Sequence, residues 1–206
     1  VCDGEFAFVH LAALSLQSKA KENQAQAVML NAVLPCQLLT RAQELGCWKF
    51  LLASTAAVYP TQPGFANEER TLPAPESFYA ATKLAAEALC RGAASNGGTA
   101  CEVVRISNVY GPNSAITTVF GRILEQVRMG IPIKVNSVSP IRDFIYIDDV
   151  AEGLIRILAA SGHSRFQVTN LSSGVGTSVR ALLDAVGSTY GVRCEVHNVD
   201  LASTND

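Results

Sequence analysis

Along the chain, short runs of β-branched and aromatic residues alternate with longer segments in which apolar positions recur every three or four residues. The strand-like runs cover residues 6–10, 49–54, 101–106 and 166–171, and the helix-like patterns fall at about 24–45, 79–94, 150–160 and 178–190. This alternation predicts βαβ units built around a parallel sheet with helices on both faces. Asp149, with Glu152 three residues on, predicts a capping box opening the third helix. Pro35 falls inside the first and is expected to kink or split it, because proline lacks the amide that the helix needs.

Two segments interrupt the pattern. Residues 60–77 hold four of the eight prolines and no periodicity, which predicts a loop long enough to serve as a wall or lid beside a site. Residues 111–141 read as a helix at about 117–129, a Gly-Ile-Pro turn and a short extended piece. That excursion predicts a second, smaller lobe, and clefts between lobes commonly hold ligands.

Composition narrows the function. The 206 residues are 49% hydrophobic and 17% charged, enough apolar material for one sizeable core and a small lobe. A net charge of −2 without blocks of like charge offers no footprint for nucleic acid, and no basic amphipathic stretch suggests a membrane surface. No apolar run reaches the roughly 18 residues of a membrane span. The six cysteines are scattered without CxxC or Cys/His metal spacing, so no metal site is expected and a reducing, cytoplasmic setting is. The chain opens on Val1 with VCDGEF, neither a cationic leader nor a methionine start, and reads as shortened at its amino side.

The densest chemistry lies in LLASTAAVYP, residues 51–60, followed after the loop by FYAATKLAAEAL, residues 78–89. Thr55 places a hydroxyl at the carboxyl end of a buried strand, where open α/β sheets bind ligands. Tyr79 and Lys83 are four apart at the start of a helix and share a face. A free phenol is a poor base at neutral pH, and a nearby ammonium favours the phenolate. Such a trio moves a proton on or off a hydroxyl.

In this order of strand, VY dipeptide, long loop and YxxxK, the chain resembles the extended short-chain dehydrogenases, in particular the NAD-dependent epimerases and dehydratases of nucleotide sugars. The resemblance extends through FVHLAAL (residues 8–14), RISNVYGP (105–112), RDFIYIDDVAEG (142–153) and NLSSGVGTSV (170–179). It implies a partial Rossmann-like, doubly wound parallel sheet with a small substrate lobe. The sheet domain would span residues 1–111 and 143–172, the lobe 112–142 and 173–206. Thr55, Tyr79 and Lys83 would be catalytic. Ala12, Ala13, Asn31, Tyr79, Lys83 and Ile106 would lie against NAD or NADP. Thr55, Asn108 and Arg142 would hold the nucleotide sugar, the last two at its diphosphate. The alternatives are a polar strand cap for Asn108, a surface ion pair with Asp143 or Asp148 for Arg142, and a bracket for buried backbone groups for Asn31. His10 reads as a satisfied core histidine, and His163 and His197 carry no pattern.

The departures are as informative. Family members open with a strand, a GxxGxxG turn and a helix, and nothing here matches them. The start of this chain corresponds to the family's fourth strand, so about two βα units, on the order of 60 residues, are absent. Without that turn the pyrophosphate loses its backbone donors, and weak NAD binding is expected. Leu34-Pro35 stand where the family often has Gly-Thr, and Pro60 where glycine usually follows VY. Sugar-nucleotide dehydratases carry Asp-Glu directly after the Ser/Thr, whereas here Ala56 and Ala57 follow Thr55. The resemblance therefore points to a C4 epimerase, then to an NADPH-dependent keto-sugar reductase, with a catalytically silent binding module as the alternative. Unpaired strand edges lead us to expect a homo-oligomer.

Overall fold

Four short apolar segments pair side by side as parallel strands: β1 (Phe6–His10), β2 (Cys47–Thr55), β3 (Ala100–Ile106) and a later strand, Phe166–Leu171, in the order just given. The structure is a computed structural model that describes residues 6–15, 17–61, 64–95, 97–160, 164–192 and 194–196. The remaining strands, in chain order, are β4 (Asn108–Tyr110), β5 (Ile133–Val135) and β6 (Ile141–Tyr146); Phe166–Leu171 is β7, and β8 (Gly176–Ser178) and β9 (Cys194–Val196) follow. The helices are α1 (Gln17–Glu22), α2 (Gln24–Val28), α3 (Leu34–Glu44), α4 (Phe78–Ser95), α5 (Val119–Arg128), α6 (Ile147–Ala159) and α7 (Val179–Tyr190). His163 and His197 lie outside the described residues, as do the side chains of Cys2 and Cys194.

The chain divides into two compact units. One comprises residues 1–107 and 148–171, the other residues 108–147 and 172–206. In the first, Phe8 pairs with Phe50 and His10 with Leu52 across β1 and β2, while Thr55 pairs with Ile106 across β2 and β3. Alternation along each strand sends Phe50, Leu52, Cys101 and Val103 to one face, where Leu39, Ala42, Ala86, Cys90 and Ala94 from α3 and α4 complete a core. On the other face α6 packs against β7 so closely that a side chain at Gly153 would meet Leu171 at 2.6 Å. A Lys49–Glu102 ion pair at 3.1 Å is buried between strands there, and Lys49 Nζ donates to the carbonyls at the end of α6. The second unit has its own core of Ile123, Ile133, Val135, Val179, Leu183 and Val186. It also contains parallel β4–β6 pairing and an antiparallel β6–β8 pair.

Pro35 does not end its helix; the interruption it was expected to cause lies just ahead of it, between α2 and α3. Residues 29–33 between α2 and α3 form a π-turn in which the Leu34 amide reaches back five residues to the Met29 carbonyl. Widening the helix by one residue just before the proline accommodates its missing N–H and its ring. The capping box at Asp149 is not formed either. α6 starts earlier, at Ile147, so Asp148 and Asp149 lie in its first turn, where their charges complement the helix dipole.

Candidate functional site

Thr55 is the last residue of β2, and its Oγ1 accepts a hydrogen bond from the Ala57 amide at 3.2 Å, capping the single 3-10 turn Ala56–Val58. The long loop leaves from that turn and returns at Ser77, whose Oγ accepts from the Ala80 amide at 3.2 Å and so caps α4. The base of the loop is closed by Thr61, which donates from its amide and hydroxyl to the Glu76 carboxylate at 3.1 and 3.0 Å. Helix α4 packs against both β2 and the 3-10 turn. Tyr79 and Lys83 lie in the first two turns of that helix.

Lys83 is 2% exposed and makes no hydrogen bond or ion pair among the described residues. Burial pulls its ammonium down to about 8, opposed by Glu87 one helical turn further on and by Cys90. At neutral pH it still carries its proton. Tyr79 is half-buried, and that burial pushes its phenol above the ordinary value. The expected lowering of the phenol by the neighbouring ammonium is not what the chain by itself produces, because desolvation of the phenolate dominates.

The segment after β1 is laced to α4. Asn31 Oδ1 accepts from the Leu14 amide at 2.7 Å, and its Nδ2 donates to the Leu14 carbonyl at 3.1 Å and to Thr82 Oγ1 at 3.0 Å. Thr82 in turn donates to the Tyr79 carbonyl at 2.7 Å. Asn31 is fully enclosed, so its geometry matches the bracket alternative, and both its donor hydrogens are committed within the chain. Ala12 is exposed and Ala13 and Ile106 are half-buried. His10 is a core residue, as expected, yet its Nε2 is buried without a partner among the described residues.

Beneath Thr55 runs a polar chain that sequence reasoning missed. Arg105 Nη2 meets Glu87 Oε2 at 2.6 Å, and Ser54 Oγ donates to Glu87 Oε1 at 2.5 Å. Arg105 Nη1 donates to Tyr59 Oη at 2.9 Å, Tyr59 to Asn170 Oδ1 at 2.9 Å, and Asn170 Nδ2 to the loop's Glu68 at 3.0 Å. The available signal was an arginine inside the apolar run of residues 101–106 and a glutamate on the buried face of α4. Buried charges of that kind demand partners.

Asn108 and Arg142 both belong to the second unit. Asn108 is exposed and its Nδ2 donates to the Asp143 carbonyl at 3.2 Å. Arg142 is also exposed and donates to the Ile141 carbonyl at 2.8 Å. The Asp143 carboxylate accepts from the Ser173 amide at 2.9 Å and the Gly174 amide at 2.8 Å, fixing the turn before β8. The described residues contain no group of three or more His, Cys, Asp or Glu placed for a metal, and no helix long and apolar enough to cross a membrane. Cys36, Cys47, Cys90 and Cys101 are free thiols.

Residues 6–171 match the family described as NAD dependent epimerase/dehydratase. The chain is 34% identical to the UDP-glucuronate 4-epimerase of Thermodesulfobacterium geofontis over 82% of its own length and 51% of that protein's. It thus spans about half the length of that curated relative. A solved UDP-glucuronic acid 4-epimerase from Bacillus cereus, in complex with UDP-glucuronic acid and NAD, superposes with a TM-score of 0.83 at 26% identity, covering 92% of this chain and 62% of that one. The protein RMD from Pseudomonas aeruginosa, complexed with NADPH, gives 0.85 at 26% identity, with 93% and 69% covered.

Proposed function

Because this chain belongs to the NAD-dependent epimerase/dehydratase family, we propose that it carries the proton-transfer and substrate-holding part of a nucleotide-sugar C4 epimerase. One observation carries the reading. Half-buried Tyr79 and buried Lys83 stand one turn apart at the start of α4, which packs against the turn that follows Thr55. Ala56 and Ala57 occupy the places where a dehydratase needs its acid and base, so this site lacks the groups that would eliminate water.

In this reading the substrate hydroxyl lies between Thr55 and Tyr79. The Thr55 hydroxyl bonds the reacting sugar oxygen, and the Tyr79 phenol oxygen takes its proton and later returns one. Burial raises the phenol, and the Lys83 ammonium is the charge within the chain available to bring it down. The residues present fit the nicotinamide-bearing half of NAD or NADP. Ala12 and Ala13 offer backbone with no bulk beyond Cβ, Lys83 has uncommitted donors, and Ile106 closes the end of β3. A nicotinamide bound there supplies the hydride acceptor and donor. The 206 residues contain no glycine-rich turn for the pyrophosphate, so NAD binding by this chain alone is weak. We read the second unit as the substrate lobe, with Asn108 and Arg142 holding the diphosphate, and the protein as cytoplasmic and self-associating.

Incubation with UDP-, GDP- and dTDP-hexoses in the presence of NAD tests this. Interconversion of C4 epimers that Tyr79→Phe abolishes supports the epimerase. Consumption of NADPH on a 4-keto sugar, also lost in Tyr79→Phe, would make the chain a reductase. No turnover by a folded preparation saturated with NAD would make it a binding module.

A further inference from the structure

Ser54, Arg105 and Asn170 stand side by side in one register row across β2, β3 and β7, and the next row carries Thr55, Ile106 and Leu171. Arg105 is 5% exposed, and its guanidinium is held on one side by the Glu87 carboxylate, which accepts from Nε at 3.2 Å and from Nη2 at 2.6 Å. Asn170 is held by the loop, since its Nδ2 donates to Glu68 at 3.0 Å and to the Ala66 carbonyl at 3.3 Å. Arg105 keeps Nη1 and Asn170 keeps Oδ1 for a further partner, and both meet the same phenol.

That phenol belongs to Tyr59. Its Oη accepts from Arg105 Nη1 at 2.9 Å and donates to Asn170 Oδ1 at 2.9 Å, and the guanidinium lies over its ring, 4.9 Å from the centroid. A guanidinium can only donate and an amide oxygen can only accept, so a hydroxyl, which does both, is the group that joins them. Tyr59 is 8% exposed, and a phenylalanine in its place would leave a buried donor and a buried acceptor unmet.

The backbone of Tyr59 also ends the turn that follows Thr55. Its amide donates to the Ala56 carbonyl at 3.1 Å, and at the other end of the same turn Thr55 Oγ1 accepts from the Ala57 amide at 3.2 Å. The latter contact uses a lone pair of the threonine oxygen and leaves its proton out of the bond. A single 3-10 turn has too few bonds of its own to keep its place, so its anchors decide where it sits. One anchor, the Ala74 amide on the Val58 carbonyl at 2.9 Å, comes from the loop. The phenol of Tyr59 joins the turn to β3 and β7.

We propose that Tyr59 is a positioning residue for Thr55: by tying the end of the turn to Arg105 and Asn170, it holds Thr55 in the rotamer that takes the Ala57 amide on its oxygen and keeps its proton for the substrate oxygen. The catalytic meaning rests on the epimerase reading of Thr55, but the rotamer is measurable whether or not the chain turns over substrate.

Tyr59→Phe keeps the ring and removes the bridge. Three-bond couplings to the Thr55 methyl carbon in the 206-residue chain should report a single rotamer, and in Tyr59→Phe they should average over several. Averaged couplings in the unsubstituted chain, or the same couplings in both proteins, overturn the proposal. Should Tyr59→Phe fail to fold, Asn170→Ala removes one side of the bridge and should give the same averaging; an unchanged Thr55 rotamer there overturns the proposal as well. In NAD-saturated turnover assays, Tyr59→Phe should lower kcat about tenfold with KM nearly unchanged, and should cost nothing further in a Thr55→Val chain. An equal loss in both backgrounds would mean that Tyr59 does not act through Thr55. Absence of turnover by the folded, NAD-saturated chain would sink the epimerase reading and leave the couplings to decide the positioning.

Discussion

Lys83 sits on the buried face of α4 at 2% exposure, and its ammonium is held down to about 8 against an ordinary 10.5. Below about pH 8 both folded and unfolded chains hold the proton, and the folded state bears the full cost of burying the charge. Between about 8 and 10.5 the unfolded chain binds a proton that the folded chain has released, so stability due to this group rises with pH. Lys83→Met, similar in bulk, is therefore expected to stabilise the protein at pH 7 by at most about 3 kcal/mol, a gain that shrinks as pH rises from about 8 and is gone above about 10.5. Urea unfolding of both proteins at pH 7 and 10.5 checks this, and an equal or lower midpoint for the variant at pH 7 refutes it. The same substitution should impair catalysis. Loss of an ammonium one helical turn from the phenol disfavours the phenolate, so the alkaline rise in epimerase rate should move to higher pH. Rate profiles that overlay after Lys83→Met would remove the lysine from the proton transfer.

At the scale of elements, α4 ties the strand ends together through one face. Tyr79 and Lys83 lead the row, and Glu87 and Cys90 follow at helical spacing. Arg105→Met leaves the Glu87 carboxylate buried with Ser54 as its remaining side-chain donor and should cost about 3–5 kcal/mol in chemical denaturation. Adding Glu87→Gln to that variant should recover part of the loss, and no recovery would mean that the charge is not the cause. Asn170→Ala cuts the tie between β7 and the loop at Ala66 and Glu68, so limited proteolysis within residues 60–77 should speed up relative to the unsubstituted chain. The existence of α4 and of the four central strands was legible from periodicity, since tertiary burial and local pattern agree there. The π-turn ahead of Pro35 was not, because a proline reads as a break unless the backbone before it is known to widen. Strands β4, β6 and β8 were also illegible, being short and paired across long separations in the chain.

At the scale of the whole molecule, Val9 in β1 and Leu11 just after it are 36% and 60% exposed. Val28, Met29 and Leu30 are also exposed, at 41%, 53% and 37%. Large exposed apolar side chains favour association. Light scattering should therefore show the 206-residue chain growing in mass with concentration, and charges at Val9→Lys and Leu11→Glu should reverse it; a constant monomer mass would refute the idea.

The amino-acid pattern by itself determined the alternation of strands and helices and the parallel sheet, and it singled out Thr55, Tyr79 and Lys83 as candidates, because each is written in local spacing and side-chain type. The tertiary structure decided how the trio's charges are set. Lys83 is depressed, Tyr79 is raised, Asn31 is consumed as a bracket, and Glu87 is shared with Arg105 from another element. Ionisation and hydrogen bonding depend on burial and on partners brought together from distant stretches of chain, and neither can be read from neighbours in sequence.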